Sequence, residues 1–144
     1  METMITGTKA PDIIMKDADH NQFELDSFET QCRYIIILFW SAGCSHCMEM
    51  INKLFPWQQQ TQVQQQITVI AISLDDTETE IKAWEQEITE LKGWKHLRAA
   101  EGIRSKVAGD YFVLSTPVMV LLDAKTRKII ATPNSLKELW KALE

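Results

Sequence analysis

Two cysteines with two residues between them, Cys44-Ser45-His46-Cys47, are the side chains whose types and spacing best fit a reaction. Thiols this close can close a disulfide, and a pair that opens and closes carries two electrons to or from another disulfide. The pair sits at a join. The apolar run Tyr34 to Phe39 leads into it, and from Ser45 the residues Met48, Ile51, Leu54 and Phe55 recur at helical spacing. A cysteine that opens a helix faces unpaired backbone N–H groups and the positive end of the helix dipole, which favour thiolate over thiol. Cys44 is therefore read as the nucleophile, and Cys47, one turn further in, as the resolving thiol. An imidazole at His46 is expected to stabilise the Cys44 thiolate and so the reduced pair. Ser45 is the second residue placed to tune it.

Other uses of these side chains are weaker. An inert disulfide needs no helix N-terminus. Zinc takes four ligands, and the chain has no second Cys pair. His20 and His96 stand alone and are read as surface residues. Cys44, His46, Cys47, Met48 and Met50 are soft enough ligands for Cu(I), but Met48 and Met50 cannot both point back at the turn from one helix. No metal is assigned, and no cofactor beyond the Cys44–Cys47 disulfide itself. Cys32 is left over and reads as a small, half-buried thiol.

The positioning elements follow in chain order. Ile13–Met15 and Gln22–Leu25 read as a hairpin about the turn residues Asp17 to Asn21, with a short helix starting at Asp26-Ser27-Phe28. Tyr34–Phe39 and Ile67–Ser73 are apolar without alternation, which suits strands buried on both faces. Pro56 should kink or end the helix after the cysteines. Gln58 to Gln66 reads as polar helix surface or loop. Thr77 and Glu80 form a capping box for a helix with Ile81, Trp84, Ile88 and Leu91 on one face, stopped near Gly93. Trp94 to Gly102 reads as a connection, and Ser105–Asp110 as a short helix. Val118–Leu122 and Lys128–Thr132 form a hairpin through Asp123-Ala124-Lys125-Thr126. Ser135 and Glu138 give a second capping box for a last helix. Strands alternating with helices predict an α/β domain with a parallel core and an antiparallel edge.

Bulk properties set limits. The chain has 144 residues, one domain by the usual size prior, with about residues 1–9 expected as a flexible start. Its net charge of −5 argues against a nucleic-acid surface. The longest apolar run, Ile67 to Leu74, is far too short to span a bilayer. Met1 to Lys9 lacks the basic start and apolar stretch of a signal peptide, as a mature or excised domain would.

Taken together, these motifs resemble those of thioredoxin-fold proteins, most closely the TlpA/ResA-like thiol–disulfide oxidoreductases grouped with the AhpC/TSA peroxidases. Ala10-Pro11-Asp12, Phe39-Trp40 before the Cys pair, and Ser115-Thr116-Pro117 before an apolar strand carry the resemblance across nearly the whole chain. It implies a thioredoxin fold, a central mixed β-sheet flanked by helices with an N-terminal β-hairpin extension. It also implies a cis bond between Thr116 and Pro117 beside the Cys pair. Thr116, Pro117 and Trp40 would meet an extended protein substrate, and Trp40 would report on redox state. The implied partners are protein thiols and disulfides and an upstream redox protein, met by a monomer. The implied location is the bacterial cell envelope or periplasm, with an export signal or upstream domain outside this sequence; the cytoplasm stays open.

The chain departs from the family in places. Thioredoxins carry a buried Asp where this chain has Leu38, and Trp where it has Gly43. TlpA/ResA-like proteins often carry Glu and Pro where it has Met50 and Asn52. Without either acid, Cys47 is expected to lose its proton to water or to Glu49. A peroxidase would show Pro-x-x-x-Thr-x-x-Cys; Ser41 could stand in the Thr place, but Ile37 occupies the Pro place.

Overall fold

The computed structural model describes residues 4–144. Three stretches of β-branched and aromatic residues build its centre: β3 (Tyr34–Trp40), β4 (Ile67–Ser73) and β6 (Val118–Asp123). Side chains alternate across a strand, and in β3 both sets are buried. Ile35, Ile37 and Phe39 join one core, and Ile36, Leu38 and Trp40 the other. Two apolar cores, one on each face, explain why these runs show no polar alternation.

The first core is closed by the hairpin β1 (Ile14–Lys16) and β2 (Gln22–Glu24), and by α4 (Lys106–Asp110). The second is covered by α1 (Ser45–Gln58), α3 (Glu78–Glu87) and α5 (Leu136–Ala142), with a short α2 (Thr61–Gln64) before β4. The remaining strands are β5 (Lys95–Arg98) and β7 (Ile129–Ala131), and the sheet order is β5-β4-β3-β6-β7. β3 pairs in parallel with β4 and antiparallel with β6. The fold is thus a mixed five-stranded sheet flanked by helices, with a separate N-terminal hairpin. No helix among the described residues is long and apolar enough to cross a membrane.

Several details differ from the sequence reading. The stretch read as a connection after Gly93 contains β5, parallel to β4, and places His96 inside rather than on the surface. Asp26 and Ser27 lie in a turn, not a helix start. α1 runs through Pro56 and ends two residues later, at Gln58. In the second capping box Glu138 accepts from the Asn134 amide, one residue before the N-cap Ser135. Gly7 to Lys9 are tied to β7 and its approach: Gly7 N–H donates to Ile129 O, Ile129 N–H to Thr8 O, and Lys9 pairs with Lys128. The start expected at about residues 1–9 thus has residues 7–9 bonded to the sheet, while 1–3 lie outside the described residues.

Candidate active site

The two parallel strands end level with each other, Trp40 beside Ser73. Beyond them the chain turns through Ser41, Ala42 and Gly43 into α1, with Cys44 as its N-cap. An N-cap side chain normally supplies an oxygen to the first free amides of the helix. Here it supplies sulfur: Cys47 N–H donates to Cys44 Sγ at 3.2 Å. Cys44 is partly exposed and Cys47 fully buried, and both are free thiols.

The surroundings split the pair. Burial pushes the Cys44 thiol up, but hydrogen bonds from the Cys47 and Thr116 side chains and the Cys47 and His46 amides outweigh it, so Cys44 lies below its ordinary value. For Cys47, burial and the Cys44 sulfur act together and push it up to about 12. Deprotonation therefore begins at Cys44, the sulfur that solvent can reach.

The segment far off in sequence is brought alongside. Cys44 Sγ lies 3.6 Å from Thr116 O, and the Thr116–Pro117 peptide bond is cis. Both residues are half-buried at the start of β6. A groove that Pro117 lines is also bounded by His46, Met50, Lys53, Leu136 and Trp140.

Other expected site residues sit differently. Trp40 is completely buried beneath the turn, so it cannot present a surface to a partner. His46 contributes its backbone amide to Cys44. Its imidazole is 83% exposed and lies 3.8 Å from Glu49 across one helical turn. Ser45 is exposed as the first residue of α1. Glu49 faces solvent too, so it is no buried substitute for the acids absent at Leu38 and Met50.

A buried acid is nevertheless present, just after another strand. Asp75, two residues past the end of β4, is fully buried. It accepts from Ser73 Oγ at 2.6 Å, Ser41 Oγ at 2.7 Å and Ala42 N–H at 3.1 Å. The sequence signal is Ser73-Leu74-Asp75 closing the second buried strand. Parallel pairing with β3 sets that acid level with the turn before Cys44. Ser41, the stand-in for a peroxidase threonine, has its hydroxyl committed to this carboxylate.

Comparison with known proteins shows which family and fold the chain is similar to. A family model described as thioredoxin-like matches residues 31–129. The thioredoxin domain of a thiol-disulfide oxidoreductase from Bacteroides vulgatus is 25% identical, with a TM-score of 0.77 over 98% of this chain and 96% of that one. A domain of a possible thiol-disulfide isomerase from Cytophaga hutchinsonii is 26% identical, with a TM-score of 0.77 over 99% and 93%. A thiol:disulfide interchange protein from a Bacteroides species is 26% identical, with a TM-score of 0.74 over 98% and 89%. No curated protein matches the sequence.

Proposed function

The chain belongs to the thioredoxin-like family, and from that premise we propose that it is a thiol–disulfide oxidoreductase acting on protein partners through Cys44 and Cys47. The observation that most supports this reading is the division of labour between the two sulfurs. One is a partly exposed helix N-cap held below its ordinary thiol value, and the other is buried one turn inside and held well above it. The Cys44 thiolate attacks one sulfur of a partner disulfide, and the partner's other sulfur leaves as thiolate. Cys47 then gives up its proton and attacks Cys44 Sγ. The Cys44–Cys47 bond forms, the mixed disulfide breaks, and the partner has gained two electrons. Run in reverse, the same steps oxidise a partner dithiol.

The partner docks as an extended segment whose backbone pairs with that of Thr116, a strand addition that gives affinity with little demand on sequence. The nearness of Thr116 O to Cys44 Sγ supports this placement. The groove lined by Pro117, Met50, Leu136 and Trp140 would take a neighbouring side chain.

Insulin reduction with a thiol reductant tests the activity. The protein should accelerate it, Cys44→Ser should not, and Cys47→Ser should accumulate as a mixed disulfide. Absence of acceleration by the unaltered protein would reject the reading. Equilibration with glutathione gives the direction of flow: a potential near thioredoxin's, about −270 mV, marks a reductant, and one near −120 mV an oxidant.

A further inference from the structure

Cys47 is buried among apolar side chains, and burial alone would hold its proton where resolution of a mixed disulfide needs it gone. The acids that the family resemblance led one to expect beside it are replaced by Leu38 and Met50. Burial and the Cys44 sulfur oppose its ionisation; the Thr116 side chain and, after it, the Ser41 backbone favour the thiolate. Where Ser41 sits is set by Asp75. That carboxylate holds the Ser41 hydroxyl at 2.7 Å and the next amide, Ala42 N–H, at 3.1 Å.

Asp75 is itself rigidly placed. It closes on its own strand through Ser73 Oγ, which donates to the carboxylate at 2.6 Å and accepts from Asp75 N–H at 2.9 Å. Its carbonyl accepts from Arg98 Nη1 at 3.0 Å, from β5. The turn has a second anchor in the same direction, Cys44 N–H donating to Ser41 O at 3.1 Å. A fully buried carboxylate is costly to keep unless it is satisfied, and three of its donors come from the two strand ends that flank the Cys pair.

We propose that Asp75 is a positioning residue for the resolving step: through Ser41 and Ala42 it holds the turn so that the Ser41 amide meets the Cys47 sulfur as it becomes an attacking thiolate. This rests on the reading of Cys47 as the resolving thiol. An amide at position 75 offers one acceptor where the carboxylate offers two, so Asp75→Asn must release part of the turn. Ser41→Ala removes the hydroxyl link and leaves Asp75 with Ala42 and Ser73. Ser41→Thr keeps the hydroxyl.

An aromatic disulfide that reports each released thiolate by colour, 5,5′-dithiobis(2-nitrobenzoate), separates the two steps in one experiment. The reduced protein, in a Cys32→Ser background, should release one equivalent quickly as Cys44 attacks. A second should follow as Cys47 displaces the label and closes the ring. In Asp75→Asn and Ser41→Ala the second phase should slow by about tenfold, the change expected for about one pKa unit at Cys47, while the first stays within about twofold. Ser41→Thr should restore it. A second phase at the unaltered rate in both variants, or both phases slowed in equal proportion, overturns the role of Asp75. No second phase in the unaltered protein overturns the resolving role of Cys47 and the proposal with it. Should Asp75→Asn fail to fold, the Ser41→Ala and Ser41→Thr pair decides alone.

Discussion

Cys44 and Cys47 are the same chemical group, and only their places differ. The first caps a helix at the protein surface, and the second lies inside it. This much was legible in the sequence, because a strand-to-helix join fixes where the dipole and the free amides fall. How His46 acts was not legible. Its type suggested a charge acting through the imidazole, but helix geometry turns that ring outward to Glu49 and leaves its amide facing Cys44. Two substitutions separate these contributions. His46→Ala removes the imidazole, and His46→Pro removes the N–H as well. Alkylation of the reduced protein with iodoacetamide across pH reads the Cys44 thiolate directly. The unaltered midpoint should fall below the ordinary thiol value of about 8.5. His46→Ala should raise it slightly at most, since the exposed imidazole acts on the sulfur through water, and His46→Pro clearly more. Equal shifts would return the effect to the imidazole. Asp75 was missed for a related reason. An Asp at the end of a strand reads as turn chemistry until the partner strand's register is known, and only the parallel pairing of β3 with β4 sets it level with Ser41 and Ala42.

At the scale of elements, the apolar strands and the capped helices could be read because their patterns are long and regular. β5 could not. Its four residues, Lys95-His96-Leu97-Arg98, carry polar ends around a buried middle, and they owe their strand form to β4 rather than to their own propensity. The glutamine tract hid a structural residue in the same way. Gln58, the last residue of α1, is buried. Its Nε2 donates to Ile67 O at 2.8 Å, where β4 begins, and its Oε1 accepts from Trp94 Nε1 at 2.9 Å. One side chain therefore joins the end of α1, the start of β4 and the approach to β5. Gln58→Ala should cost about 1–3 kcal/mol, because it leaves a buried carbonyl and a buried indole N–H unpaired. Gln58→Met, which keeps most of the volume, should cost nearly as much. Urea unfolding of the two variants checks this, and a stable Gln58→Met would mean that volume rather than hydrogen bonding matters at this position.

At the scale of the molecule, the N-terminal hairpin must be held to a sheet with which it shares no continuous ladder. It is held near one end, at β5. Lys95 Nζ lies 2.9 Å from Asp17 Oδ2, and Ala18 N–H donates to His96 O at 2.9 Å. Two of the titratable groups at this junction, Asp17 and His96, are shifted in the direction that makes acid harmful. The Lys95 hydrogen bond is the main cause holding Asp17 below its ordinary value, against the opposing effect of burial and with help from the Asn21 and Asp19 amides. Burial holds His96 below its ordinary value, partly offset by its hydrogen bond to Leu91 O. For a group whose folded pKa is depressed, the unfolded chain takes up its proton first as pH falls, and the folded state loses stability over that interval. The His96 contribution is complete above about pH 6.5 and declines below it; that of Asp17 is complete above about pH 4 and declines below that. Acid should therefore loosen the hairpin–β5 junction before the central strands. Native-state hydrogen exchange, expressed as opening free energy, should show the Ala18 amide losing protection between pH 7 and pH 5 while the amides of Ile36 and Leu38 in β3 hold theirs. In His96→Gln, whose side chain can still donate to Leu91 O but carries no proton to gain, that early loss should disappear. A uniform loss across the sheet, or an unchanged loss in His96→Gln, would mean that the junction is not where the molecule senses acid.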